Sequence, residues 1–264
     1  YNQAIKINPS YAKAYNNLAN LLSDLRRYDE ASAAYHQAIK IKSNYTKAYS
    51  NLLFNLNYKK DCDPGLFLTE AKKFRINCGP KKKLSIKYQH EKKPIKLKIG
   101  CVSADFGDHP GGYFSLSTLK ELKKKQFELI AYETSSREDE FVPYFKPLFE
   151  KWHLIAKKKD NEVAEQIIKD GVHILIDLQG HSAKNRLTIF MYKPAPVQIN
   201  WLGQGSTGIP EIDYIVGSPY LTPKNEENHY VEKIWRLPET HIVFTPPFFD
   251  VEINNLPALK NNFV

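Results

Sequence analysis

The chain has 264 residues, 42% of them hydrophobic and 12% aromatic, with a formal net charge of +9. No apolar run approaches the roughly 18 residues of a membrane span, and the three cysteines are an odd set without metal-type spacing, so neither a membrane span, a disulfide framework nor a zinc site is expected, and a reducing, cytoplasmic location is. The charge sits in short lysine groups without an aromatic-basic motif, which argues against nucleic acid and leaves solvated faces or a basic cleft for an anionic ligand.

The chain opens at Tyr1 in mid-pattern and reads as a fragment. "YNQAIKINPSYAKAYNNL" from Tyr1 returns as "YHQAIKIKSNYTKAYSNL" from Tyr35, an offset of 34 residues. That period, carried by two amphipathic helices, is the tetratricopeptide (TPR) signature. Tyr15, Leu18, Ala19 and Leu22 line the first helix of the unit; Ala31, Tyr35 and Ala38 line the second. Fewer than two units are present, too few to bury a solenoid core alone, so they must stack on other repeats, on the next domain, or on both. Asn17, Asn20 and Asn51 recur at helical spacing, as a solvated face or as amides that grip an extended peptide.

The repeats are expected over 1–58 and a helical linker over 59–94, with the boundary inside the charged stretch 79–94. "DPGLFLTEAKKFRIN" reads as a helix with Asp63 at its cap and Pro64 at its first position. Asp61, Cys62 and Asp63 at that start are read as capping rather than as a metal site.

From 95 to 264 the grammar changes. Strands are expected over 95–103, 127–134, 172–180, 196–203 and 213–219, and helices over 113–125, 161–171 and 184–194. Strands alternating with helices imply a doubly wound, largely parallel α/β sheet, whose site forms outside the carboxyl ends of the strands. That rule selects three glycine-bearing loops, "ADFGDHPGGYF", "LQGHSAKNR" and "LGQGSTG". It expects Asp105, His109, His181, Ser182, Gly203, Ser206 and Thr207 to converge. His173 is expected to be a satisfied structural residue. Asp105, Phe106 and Gly107 spell a kinase D-F-G, but the other kinase elements are missing. Gly203, Gly205 and Gly208 have the G-x-G-x-x-G spacing of a dinucleotide site, yet the next strand comes with no room for a helix, which excludes that reading.

"IKLKIGCVSADFGDHPGGYF", "GVHILIDLQGHSAKNRLTIFMYKPAPVQINWLGQGSTGIPEIDY" and "VEKIWRLPET" together resemble the O-GlcNAc transferase/SPINDLY family, glycosyltransferase family 41. "GYF" and "GHS" are similar to the SPINDLY-like and bacterial members. The resemblance covers nearly the whole chain. It implies TPR hairpins leading to the Rossmann-like N-terminal lobe of a two-lobed GT-B enzyme, with the second lobe missing. A sugar, GlcNAc or fucose, would pass with inversion and without an essential metal or other cofactor from UDP-GlcNAc or GDP-fucose to a Ser or Thr hydroxyl. Acceptor proteins would be guided by the TPR surface. The resemblance places His109 and Asp105 in catalysis and Pro110, Gly111, His181, Ser182, Arg186, Leu202, Gly203 and Thr207 around the substrates. The other reading is a non-catalytic TPR interaction module that keeps the lobe as a platform. "WLGQGSTG" is one residue shorter than the family's W-L-G-Y-P-G-T-T-G and lacks its Tyr-Pro; Lys72 and Lys73 stand where the family often has histidine. Without a second lobe, the fragment is expected to be inactive by itself.

Overall fold

The structure, a computed structural model, describes residues 1–82, 84, 88, 96–125, 127–136, 138–246 and 255–258. Most of the boundary stretch expected over 79–94, the start of the strand expected at 95 and most of the C-terminal tail lie outside the described residues.

Five helices come first: α1 (Asn2–Ile7), α2 (Ala12–Asp24), α3 (Tyr28–Ile41), α4 (Thr46–Leu56) and α5 (Pro64–Cys78). Ala19, Ala31, Ala38 and Ala48 are fully buried, and such small side chains let successive helices pack closely. The asparagines do not all face water. Asn51 Nδ2 donates to Asn16 Oδ1 (3.2 Å) and Asn20 Oδ1 (3.0 Å), so the amides tie the two units together. α5 starts as expected: the Asp63 carboxylate accepts from the Gly65 amide (2.9 Å) and Pro64 occupies the first turn.

Then come β1 (Lys98–Ser103), α6 (Pro110–Lys124), β2 (Glu128–Glu133), α7 (Val142–Phe145), β3 (Lys151–Leu154), α8 (Asp160–Asp170), β4 (Ile174–Asp177), α9 (Leu187–Phe190), β5 (Val197–Asn200), β6 (Tyr214–Gly217) and β7 (Lys233–Arg236). All strand pairs are parallel, in the order β3-β2-β1-β4-β5-β6-β7. The order reverses between β1 and β4. This is the doubly wound arrangement that the alternation predicts.

β3 and β7 are not among the expected strands. Both are edge strands, half-exposed and carrying Lys151, Lys233 and Arg236, so they lack the apolar run of a central strand. The helix expected over 184–194 shrinks to the single turn of α9, since Lys184 takes a left-handed φ of 61° and the chain straightens only at Leu187. α6 begins at Pro110 rather than 113, because His109 caps it and Pro110 fits its first turn.

The sheet separates two cores. Ile99, Cys101 and Leu129 face α6 with Leu116 and Leu119. Val102, Ile130 and Leu175 face α8 and α9, and this second core runs without a break into Phe67, Phe74, Leu53 and Tyr49 of the helical region.

Candidate active site

The reversal between β1 and β4 opens a crevice at the carboxyl ends of these strands, where ligands of open α/β sheets bind. A cavity of about 390 Å³ lies there. Asp105, His109, Pro110 and Gly111 come from the loop after β1 and the start of α6, His181 and Ser182 from the loop after β4, and Leu202 from the loop after β5. The described structure thus brings seven of the expected residues to one place. A separate apolar hollow of about 340 Å³, walled by Trp201, Val216 and Trp235, is lined almost wholly by apolar side chains, with no carboxylate among them, and is a poorer candidate.

His109 is the exposed histidine of the cavity, its side chain 41% exposed. Its Nδ1 accepts from the Gly111 amide (3.1 Å) and stands 3.5 Å from Asp105 Oδ2. These contacts define two uses of one ring. With Nδ1 accepting the Gly111 N–H, a neutral ring carries its proton on Nε2 and donates. With the proton on Nδ1 facing the Asp105 carboxylate, Nε2 holds a lone pair that can take a proton from a hydroxyl. Asp105 is largely buried and fixed: its Oδ2 accepts from Gln179 Nε2 (3.2 Å), and its backbone N–H donates to Ser103 Oγ (2.9 Å).

His181 has a different place. It is buried, and burial lowers its pKa to about 4, so the ring is neutral near pH 7. Its Nε2 donates to the Thr207 carbonyl (3.1 Å), which leaves Nδ1 to accept from Ser50 Oγ (3.3 Å). Ser50 Oγ in turn accepts from Asn185 Nδ2 (3.1 Å). His181 is therefore a pin between the last repeat helix and two site loops.

Three expected substrate contacts, Arg186, Gly203 and Thr207, fall outside this cavity. Arg186 spends its guanidinium on Asp160 Oδ1 and on the carbonyls of Ile155 and Lys158, and it lines the next cavity instead. Thr207 is buried, with its hydroxyl and amide both donated to Glu232. Gly203 lines a neighbouring cavity that shares Gln204 with this one. Ser206 is also buried and donates to Glu232 (2.7 Å). His173 is structural, as expected, accepting the Lys98 amide (3.0 Å).

Sequence reasoning missed Gln179, Glu232 and Ser50. Gln179 could have been found, since it lies in the loop just after β4 that the strand-end rule selects. Ser50 is 131 residues from His181, and Glu232 is 25 residues from Thr207 with no local pattern to mark either pairing.

The glycines of the loop after β5 have a packing role. Gly205 (φ +72°) and Gly208 (φ +73°) are left-handed, and each meets α5. A Cβ on Gly205 would lie 2.7 Å from the Phe67 ring, and one on Gly208 would lie 2.2 Å from the backbone of Ala71. The G-x-G-x-x-G spacing marks the seat of the linker helix, which Arg75 locks with a two-pronged ion pair to Glu211.

The model of glycosyl transferase family 41 matches residues 74–246. The chain belongs to this family. A tetratricopeptide repeat model matches residues 12–45. Among curated relatives of this family 41 chain, a probable UDP-N-acetylglucosamine–peptide N-acetylglucosaminyltransferase SPINDLY of Solanum lycopersicum is 33% identical over 64% of the chain and 19% of the relative. The UDP-N-acetylglucosamine–peptide N-acetylglucosaminyltransferase of Caenorhabditis elegans is 32% identical over 56% of the chain and 13% of the relative. A mutant O-GlcNAc transferase of Thermobaculum terrenum superposes with a TM-score of 0.83 at 27% identity, covering 94% of the chain and 48% of that structure. The family 41 chain thus spans about a fifth of the first of these relatives and about half of the solved neighbour. Its architecture is TPR hairpins followed by a Rossmann-like lobe of GT-B type. Among the described residues no helix is long and apolar enough to cross a membrane, and no group of three or more His, Cys, Asp or Glu could hold a metal ion.

Proposed function

We propose that the chain is the repeat end and N-terminal lobe of a protein O-glycosyltransferase that moves GlcNAc or fucose from a nucleotide donor to a Ser or Thr hydroxyl. The observation that carries this reading is the His109–Asp105 pair at the switch point of the sheet, in a cavity walled on the other side by the repeat helices. A serine hydroxyl is a poor nucleophile near pH 7, so its proton must leave as the glycosidic bond forms. Once Nδ1 releases the Gly111 N–H and turns its own proton to Asp105, which Gln179 holds, His109 Nε2 is free to accept the hydroxyl proton, and Asp105 stabilises the imidazolium that results. The hydroxyl oxygen attacks the anomeric carbon from the face opposite the leaving nucleoside diphosphate, and the configuration inverts. The α6 N-terminus opens on the same cavity and favours the negative charge that the leaving group gains. Pro110, Gly111, Ser182 and Leu202 wall the reacting groups, and no metal is required by this scheme. In this reading the repeats deliver the acceptor.

The test is a donor screen on the full-length parent protein with a serine peptide, UDP-GlcNAc and GDP-fucose. One donor should yield a product of inverted anomeric configuration. His109→Ala should lower kcat by about 10²–10⁴ with the circular dichroism unchanged. No transfer from either donor by a folded protein would remove the reading in favour of a non-catalytic module.

A further inference from the structure

The cavity that holds His109 has an aromatic wall, and that wall comes from the repeats. Phe54 at the end of α4 and Tyr58 in the turn after it line the cavity opposite Asp105 and His109. They are 38% and 52% exposed, with ring centroids 5.3 Å apart, and Tyr28 stacks on Tyr58 from behind at 6.1 Å.

The repeat itself shows that these rings are not needed for the scaffold. With the 34-residue offset, Phe54 corresponds to Asn20 and Tyr58 to Asp24, whereas the packing positions stay the same: Ala14 and Ala48, Tyr15 and Tyr49, Leu18 and Leu52. Two polar residues of the first unit are thus aromatic in the unit that meets the lobe. Tyr28 backs Tyr58 on one side only, and exposed rings cost solubility, so their place beside the reacting groups calls for a ligand.

The rings also end a longer track. Lys47, Ser50 and Asn51 on the same helix face line a second cavity of about 480 Å³, and both cavities share Ser182 and Ala183 on the lobe side. At about 1.5 Å per residue, the helix from Lys47 to Leu56 spans roughly 14 Å, the reach of about four residues of extended chain, and Tyr58 lies just beyond its end. An acceptor that puts its hydroxyl at His109 and runs along this face must lay a neighbouring side chain on Phe54 and Tyr58. A sugar ring has no such continuity with the amide-bearing inner surface of α4.

We propose that Phe54 and Tyr58 select acceptors by holding an apolar side chain next to the accepting serine or threonine. This rests on the transferase reading above, and the experiment separates the two. Fluorescein-labelled peptides with one serine, flanked by leucine or by aspartate, are titrated into full-length protein and followed by anisotropy. The leucine peptide should bind about tenfold more tightly, or about 1.4 kcal/mol. Phe54→Asn with Tyr58→Asp, which restores the residues of the first unit, and Phe54→Ala with Tyr58→Ala should each bring that ratio within about twofold, both variants keeping the wild-type circular dichroism. An unchanged ratio in both variants, or a wild type that does not discriminate, overturns the assignment. So does an unchanged ratio with a raised KM for the nucleotide sugar, which would give the rings to the donor. Discrimination without transfer from any donor would leave the aromatic wall standing and remove the transferase reading.

Discussion

At the scale of single residues, two buried groups set opposite pH slopes. His181 is pushed down to about 4 by burial, against about 6.5 in the unfolded chain. Between these values the unfolded state binds the extra proton, so this contribution is complete above about pH 6.5 and is lost as the pH falls toward 4. Asp177, buried beneath the same loops, is pushed up to about 7 by burial, although the Gly180 amide and Asn200 donate to its carboxylate. Its folded state holds the proton longer, so its contribution falls as the pH rises from about 4 to 7. The two trends oppose each other and flatten the wild-type profile. Asp177→Asn should expose the His181 slope: urea midpoints should climb between pH 4 and 6.5, by up to about 1.4 kcal/mol per pH unit. A profile as flat as the wild type would show that His181 takes its proton without unfolding. Asp105 and His109 were legible in the sequence because strand ends are. The roles of Ser50 and Glu232 were not, because a hydrogen-bond partner 131 residues away leaves no local trace.

At the scale of elements, the seat of α5 on the loop after β5 decides how that loop is shaped. Gly208 has both a left-handed φ and the backbone of Ala71 within reach of any added Cβ. A backbone cannot rotate away as a side chain can. Gly208→Ala should therefore destabilise the protein by more than the ~1–2 kcal/mol of the left-handed strain alone, seen as a lower urea midpoint. A loss below ~1 kcal/mol would mean that the helix shifts freely on its seat. Element types were readable wherever period and caps agreed, as for α5, α8 and the five central strands. They failed at β3 and β7, where an edge position needs charge rather than an apolar run, and at α9, where Lys184 and its neighbours turn the chain before the helix can start.

At the scale of the molecule, the repeats and the lobe share one core. Leu53, Phe67 and Phe74 lie in the same buried cluster as Val102, Ile130 and Leu175. Unfolding should therefore be a single transition. All three tryptophans, Trp152, Trp201 and Trp235, lie in the lobe, whereas most of the helix lies in the repeats and linker helix α5 taken together. Fluorescence and far-ultraviolet circular dichroism should give coincident curves; an earlier loss of dichroism would mean that the repeats melt by themselves. The 34-residue period predicts the repeats and the alternation predicts the sheet. Neither predicts their union, which depends on surfaces that meet only in the folded chain.

The pin formed by Ser50, His181 and the Thr207 carbonyl has a consequence for engineering. It sets where a repeat array can be exchanged. A graft whose seam falls before Tyr45 swaps one alanine-packed repeat junction for another and leaves the pin alone. A seam past Ser50 removes a partner of a buried ring and frees two loops at once. The last repeat helix is thus inherited with the lobe, and whole repeats can be exchanged only upstream of it.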